Sequence, residues 1–149
     1  MPPVRLLAVP AVLGLLALPV SARADDMMRE IASPHPFEDT VSRIERAAAA
    51  RGLVPFGKLD HAGAASRAGL SLRPTVVLMY GNPAGGTPVM QAHPSAAIDL
   101  PPRVLVWQGE DGRVRVAVNT AAFYARHDLN PEQAASLAGI GALVEASLK

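Results

Sequence analysis

The sequence predicts an α+β domain, a two-layer sandwich of a mainly antiparallel sheet with helices packed over it. Three observations carry that prediction. Arg103 to Gln108 and Arg113 to Asn119 are β-type runs flanking Gly109-Glu110-Asp111-Gly112, whose composition suits the tip of a hairpin. Phe37, Val41, Ile44 and Ala48 recur at helical spacing, as do Ala134, Leu137, Ile140 and Val144. Strand and helix do not alternate throughout, as a doubly wound α/β sheet requires. The order is β-α-β-β-α-β-β with a C-terminal helix over about residues 131–148, all in a single domain spanning 25–149.

Ahead of that domain, residues 1–24 read as a secretory signal peptide. Arg5 supplies a positive start, Leu6 to Val20 an uncharged apolar run, and Ala22-Arg23-Ala24 the small residues that signal peptidase reads. The run is shorter than the roughly 20 residues a spanning helix needs, and Pro10, Gly14 and Pro19 interrupt it. Cleavage is expected between Ala24 and Asp25, placing the product in the periplasm or outside the cell with no membrane span.

Met27 to Ala32 is a short first strand ended by Ser33-Pro34-His35-Pro36. The helix over Phe37 to Arg51 starts after a proline, carries Glu38 and Asp39 at the positive end of its dipole, and stops at Gly52. Leu53 to Asp60 is a strand in which Pro55 and Gly57 mark an edge position or a bulge. His61 to Ala68 forms a short helix closed by Gly69. Thr75 to Tyr80 is an almost continuous apolar run, the pattern of a strand buried on both faces. Gly81-Asn82-Pro83 breaks it, and a helix runs to about Ala92 with Thr87 and Pro88 at its ordered start. In the hairpin's second arm Val114, Val116 and Val118 share one face, while Arg113, Arg115 and Ala117 share the other. Asn130 caps the last helix, with Gln133 three residues on.

Several of these segments are similar to domain of unknown function family 302. They are Phe37 to Thr40, Asp60-His61-Ala62 with Ala65, Gly81-Asn82-Pro83, Gly86-Thr87-Pro88, Leu100-Pro101 before Val104 to Trp107, and Arg126-His127. The resemblance covers roughly Met28 to Leu129. It implies a compact α+β fold that commonly pairs into homodimers, and it brings no catalytic residues and no cofactors. Some relatives carry a cysteine where this chain has Pro102, so thiol chemistry is excluded there.

Composition narrows the function classes. With no Cys, disulfide frameworks, thiol nucleophiles and thiolate metal sites are excluded. Fourteen Lys and Arg against 13 Asp and Glu argue against sequence-general nucleic-acid binding. Gly81 to Pro88 has the glycine separation of a phosphate loop, but Thr87 and Pro88 stand where that loop needs a lysine. A turn leaving the end of a core strand is nonetheless a common place for a ligand, which makes Asn82 and Thr87 binding candidates. Asp60 and His61 pair a carboxylate with the side chain that titrates near neutrality, although neighbours in an extended strand face opposite ways. Asp60 is equally suited to capping the next helix. Trp107 offers an apolar wall. The four histidines are scattered without His-x-His or His-x-x-x-His spacing, so no metal site is assigned, even counting Met79 and Met90 as thioether donors. His127, between Arg126 and Asp128, reads as a solvated or capping residue, and Arg113 with Arg115 as a basic strip on a solvated face.

The expected function is non-enzymatic: an exported domain binding a small molecule or a partner through Asp60, His61, Asn82, Thr87 and Trp107, acting as a homodimer. A small periplasmic hydrolase or isomerase using His61 is the alternative, and a periplasmic metal-binding protein the third. N-terminal sequencing of the exported product should read Asp25 first. Retention of Met1 in that pool would overturn the signal-peptide assignment.

Overall fold

The computed structural model describes residues 27–149; the secretory signal expected over residues 1–24 and its cleavage point lie outside the described residues. The strands are β1 (Met28–Ser33), β2 (Val54–Asp60), β3 (Thr75–Gly81), β4 (Arg103–Gln108) and β5 (Val114–Asn119). They form one antiparallel sheet in the order β1-β5-β4-β3-β2. The helices are α1 (Phe37–Ala50), α2 (His61–Arg67), α3 (Pro83–Ala92), α4 (Ala121–Ala125), α5 (Pro131–Ala138) and α6 (Ile140–Ser147), with a 3-10 turn over Pro94–Asp99. This is the α+β sandwich that the sequence predicts. No helix among the described residues is long and apolar enough to cross a membrane.

One face of the sheet makes the main core. Val76, Leu78 and Tyr80 of β3, Val104 and Val106 of β4, and Val114, Val116 and Val118 of β5 all point to it. Against them pack Val41, Ile44 and Ala48 of α1 and Ile140, Leu143 and Val144 of α6. The helical spacing of those apolar positions is what lets each helix lay one stripe on the sheet. A second cluster gathers Val89, Ala96, Tyr124, Leu129, Ala134 and Leu137.

The sheet's other face is different. β3 alternates buried with half-buried residues instead of being buried throughout, because only one layer of helices joins the main core. Val77, Met79, Leu105 and Trp107 lie on this second face, half-buried and outside both clusters. Leu59, directly across from Val77, extends the apolar row and is 48% exposed.

Local details follow their chemistry. β2 is an edge strand and also carries a bulge between Pro55 and Gly57, so both readings of those two residues hold. Gly52 has φ +66 and ends α1 in the left-handed region that favours glycine. Between β1 and α1, the buried Thr40 hydroxyl shares a 2.6 Å hydrogen bond with Ser33 Oγ, and His35 Nε2 lies 3.3 Å from the Leu148 carbonyl. Asn130 makes the full capping box with Gln133.

Three expectations need correction. α3 begins at Pro83, not near Thr87, because Asn82 accepts from the Ala84 N–H and proline is tolerated in a first turn; Pro88 then falls inside the helix. The C-terminal helix is divided at Gly139, although all four residues of its predicted apolar stripe are buried. The 3-10 turn and α4 were not predicted, since neither segment is long enough to show a period.

Ile44 has no exposed surface and sits at the centre of the main core. Ile44→Ala should cost about 2–5 kcal/mol in urea unfolding, the usual range for truncating a buried aliphatic side chain. Asn130→Ala should cost only about 0.5–2 kcal/mol, as a lost helix cap does.

Candidate functional site

A cavity of about 590 Å³ opens at the end of the sheet where β3 finishes. It lies where coverage of the sheet gives out: α1 stops at Gly52, α3 turns away after Asn82, and the α5–α6 junction breaks at Gly139. Its floor is Tyr80 and Gly81, its sides include Leu53, Phe56, Leu100 and Pro101, and its roof is Leu137, Ile140, Ala142 and Leu143. The Leu100–Pro101 peptide is cis. Arg51 is the one charged residue among the described lining. A mostly apolar concavity with a few polar groups is the usual make-up of a small-molecule site.

Of the five residues singled out in the sequence, the cavity takes in only Asn82. Its side-chain oxygen caps α3 through the Ala84 N–H at 3.1 Å. Thr87 is exposed along α3 and does not line the cavity. Asp60 caps α2, its Oδ1 accepting from the Gly63 N–H at 2.8 Å, so its carboxylate is turned to the backbone and makes no pair with His61. His61 is the first residue of α2, and Trp107 sits on the second sheet face opposite Thr75 and Arg115. These residues do not converge. Antiparallel pairing explains why: Val54 lies across from Gly81, whereas Asp60 lies across from Val76. His61 therefore follows the far end of β2 from Asn82, roughly 20 Å along the strand at the usual rise per residue.

Around the cavity, the first-turn N–H groups of α3 are already engaged: Gly85 and Gly86 both donate to the Asn82 carbonyl. Tyr80 is only 7% exposed, and its hydroxyl has no hydrogen-bond partner among the described residues. Burial, and then the charge of Glu45, push its phenol above the ordinary tyrosine value, so it remains a donor at neutral pH. Glu45 is itself held by Lys58 at 3.1 Å.

A second cluster was not visible in the sequence. Asp99 Oδ2 meets His127 Nε2 at 2.5 Å and also takes the Arg126 guanidinium, while His127 Nδ1 lies 3.3 Å from Ser95 Oγ. The His127 and Asp99 side chains are 9% and 11% exposed, so His127 is not the solvated residue the sequence implied. Arg126 also stacks over Phe123, 4.0 Å from the ring centre. The carboxylate is shared with an arginine, and Ser95 is exposed. The geometry is that of a clamp tying the 3-10 turn to the end of α4. Only the Arg126-His127 pair was legible, because the partner lies 28 residues away.

The hairpin strip is likewise paired within the chain. Arg115 forks onto Asp111 at 3.0 and 2.7 Å and reaches Glu30 at 3.1 Å. Its hydrogen bonds hold Asp111 down to about 2. The four histidines stand apart, and no group of three His, Asp or Glu gathers for a metal among the described residues.

Burial works to raise the Asp99 carboxyl, but the hydrogen bonds from Arg126 and His127 outweigh it and hold it below its ordinary value. A depressed carboxylate stabilises the fold above its unfolded value and loses that contribution as the pH falls through its folded one. Asp99→Asn should therefore lower the melting temperature by several degrees at neutral pH. The gap from the parent protein should close below about pH 4, near the ordinary carboxylate value; a gap constant across that range would show that the charge is not involved.

Comparison with known proteins agrees with this fold. The Fluoride-specific ion channel FluC 1 of Brucella suis biovar 1 (strain 1330) is 36% identical over 112 residues, which cover 74% of this chain and 44% of that protein. The Fluoride-specific ion channel FluC 2 of Brucella melitensis biotype 1 is also 36% identical over 112 residues, 42% of its length. The chain thus spans less than half of these relatives. The crystal structure of an uncharacterized conserved protein DUF302 from Bacillus stearothermophilus superposes with a TM-score of 0.69 at 18% identity, over 82% of this chain and 95% of that one, a likeness of fold alone. Residues 29–146 match the family described as Domain of unknown function DUF302, a span that takes in both the cavity and the C-terminal helices, and the chain belongs to that family.

Proposed function

We propose that this domain binds a small apolar molecule in the cavity at the end of β3, without catalysing a reaction on it. The observation that carries this reading is the cavity itself: about 590 Å³, within the size range of ligand sites, with a floor and roof of aliphatic and aromatic side chains. No nucleophile–base pair lines it, which speaks for binding over turnover. His61, the residue on which a hydrolase or isomerase would depend, lies outside it. Channel activity is a property named for relatives more than twice as long as the matched segment and is not extended to this chain.

The signal-like pattern of residues 1–24 supports a periplasmic or secreted location. The second sheet face supports a homodimer. Val77, Met79, Leu105 and Trp107, continued by Leu59, make an apolar row that a second copy would cover.

Two measurements test these readings. The neutral fluorophore N-phenyl-1-naphthylamine should brighten on binding the protein, and Ala142→Phe should abolish the signal with little change in melting temperature. Ala142 is exposed on the cavity wall, so a larger side chain there fills space without entering the core. An undiminished signal in that variant would place the fluorophore elsewhere. Light scattering at micromolar concentration should give a dimer mass, and Leu59→Lys should shift it to the monomer; a parent protein that is already monomeric would remove the dimer.

A further inference from the structure

We propose that the cavity selects an amphiphile with one anionic head group, a medium-chain carboxylate or a molecule of that kind, with the head at Arg51 and the Tyr80 hydroxyl and the hydrocarbon against Leu53, Phe56, Leu137 and Leu143. The proposal rests on the cavity being a ligand site and names what that site takes.

Two donors that line the cavity carry it, Arg51 and Tyr80. Arg51 caps the end of α1 through its backbone N–H, which reaches the Ala47 and Ala48 carbonyls at 3.2 Å. Arg51 lines the cavity, and its guanidinium has no carboxylate within ion-pair distance among the described residues. Arg29 pairs with Glu145, Arg43 with Asp39, Lys58 with Glu45 and Arg115 with Asp111; Arg46 and Arg103, like Arg51, have no carboxylate partner among the described residues, but neither lines the cavity. Tyr80 is the second donor. It lines the same cavity, and its hydroxyl makes no hydrogen bond among the described residues, so it is open to an arriving acceptor. Both donors belong to one cavity whose other described walls are almost wholly apolar and carry no acidic residue.

Alternative ligands fit less well. A pure hydrocarbon would cover the apolar walls and leave the phenol unpaired and the guanidinium facing it. A cationic amphiphile would meet Arg51 with like charge. The N–H groups at the start of α3 cannot substitute as anion donors, since Asn82 already engages them. An anionic head satisfies both side chains at once, and a hydrogen bond between charged partners is about twice as strong as a neutral one.

The experiment displaces bound N-phenyl-1-naphthylamine with decanoate, 1-decanol and decyltrimethylammonium, three probes sharing one chain length and differing in head group. Decanoate should bind at least about tenfold more tightly than decanol, the range of a charge-assisted hydrogen bond, and the ammonium compound should bind most weakly. Arg51→Gln and Tyr80→Phe should each erase most of the preference for decanoate while leaving decanol affinity and the melting temperature unchanged. Equal affinity for decanoate and decanol in the parent protein, or a preference that survives Arg51→Gln, overturns the anionic assignment while the cavity reading stands. Absence of fluorophore binding in the parent protein overturns both.

Discussion

Everything in this fold depends on closing one face of a five-stranded antiparallel sheet with helices drawn from opposite ends of the chain. The valines of β4 and β5 form a flat apolar floor, and neither α1 nor α6 alone is long enough to cover it. Together they do, and their packing fixes the position of the intervening segments. The cavity is the remainder of that arrangement. Where α1 ends and the last helix breaks at Gly139, the end of β3 is left roofed at a distance instead of in contact. A binding space therefore arises from where helices stop, and its polar groups are those that happen to sit at the stops: a helix-terminal arginine and a strand-terminal tyrosine.

Much of the fold was legible in the sequence because it rests on local chemistry. The hairpin turn, the Asn130 capping box, the edge character of β2 and the stripes of α1 and α6 each follow from residues within one or two turns of each other. Burial of β3 on one face only was not legible, since an apolar run reads the same whether its second face meets helices or is left half-covered. Candidate site residues fared worse for a related reason. Asp60-His61 and Gly81-Asn82 look like neighbours once their strands pair, yet antiparallel pairing sends them to opposite ends of the sheet. Arg51 and Tyr80 carry no motif at all; each was read as part of its helix or strand. Their interest comes from what they lack, a partner, and a missing partner has no sequence signature.

Charge is distributed with the same economy. Asp111, Asp99 and Asp39 are each held ionised by arginines close by, so these three carboxylates are committed to hairpin tip, clamp and helix. The Asp99–His127 clamp ends one residue before Leu100, which lines the cavity together with the cis proline that follows. The 3-10 turn thus carries a fixed anchor on one side and a cavity wall on the other. Anchor and wall are joined by one peptide bond, Asp99 to Leu100.

The partnership of α1 with α6, and of β1 with β5, has a consequence in time as well as in space. Both pairings join the start of the domain to its end, and Leu148, nearly the last residue, is buried in the same core. Non-local contacts of this kind slow folding, because the loop between them must be ordered before any contact rewards it. As the chain emerges from a ribosome, its valine-rich strands find only α1 as a partial lid until α6 arrives to complete it.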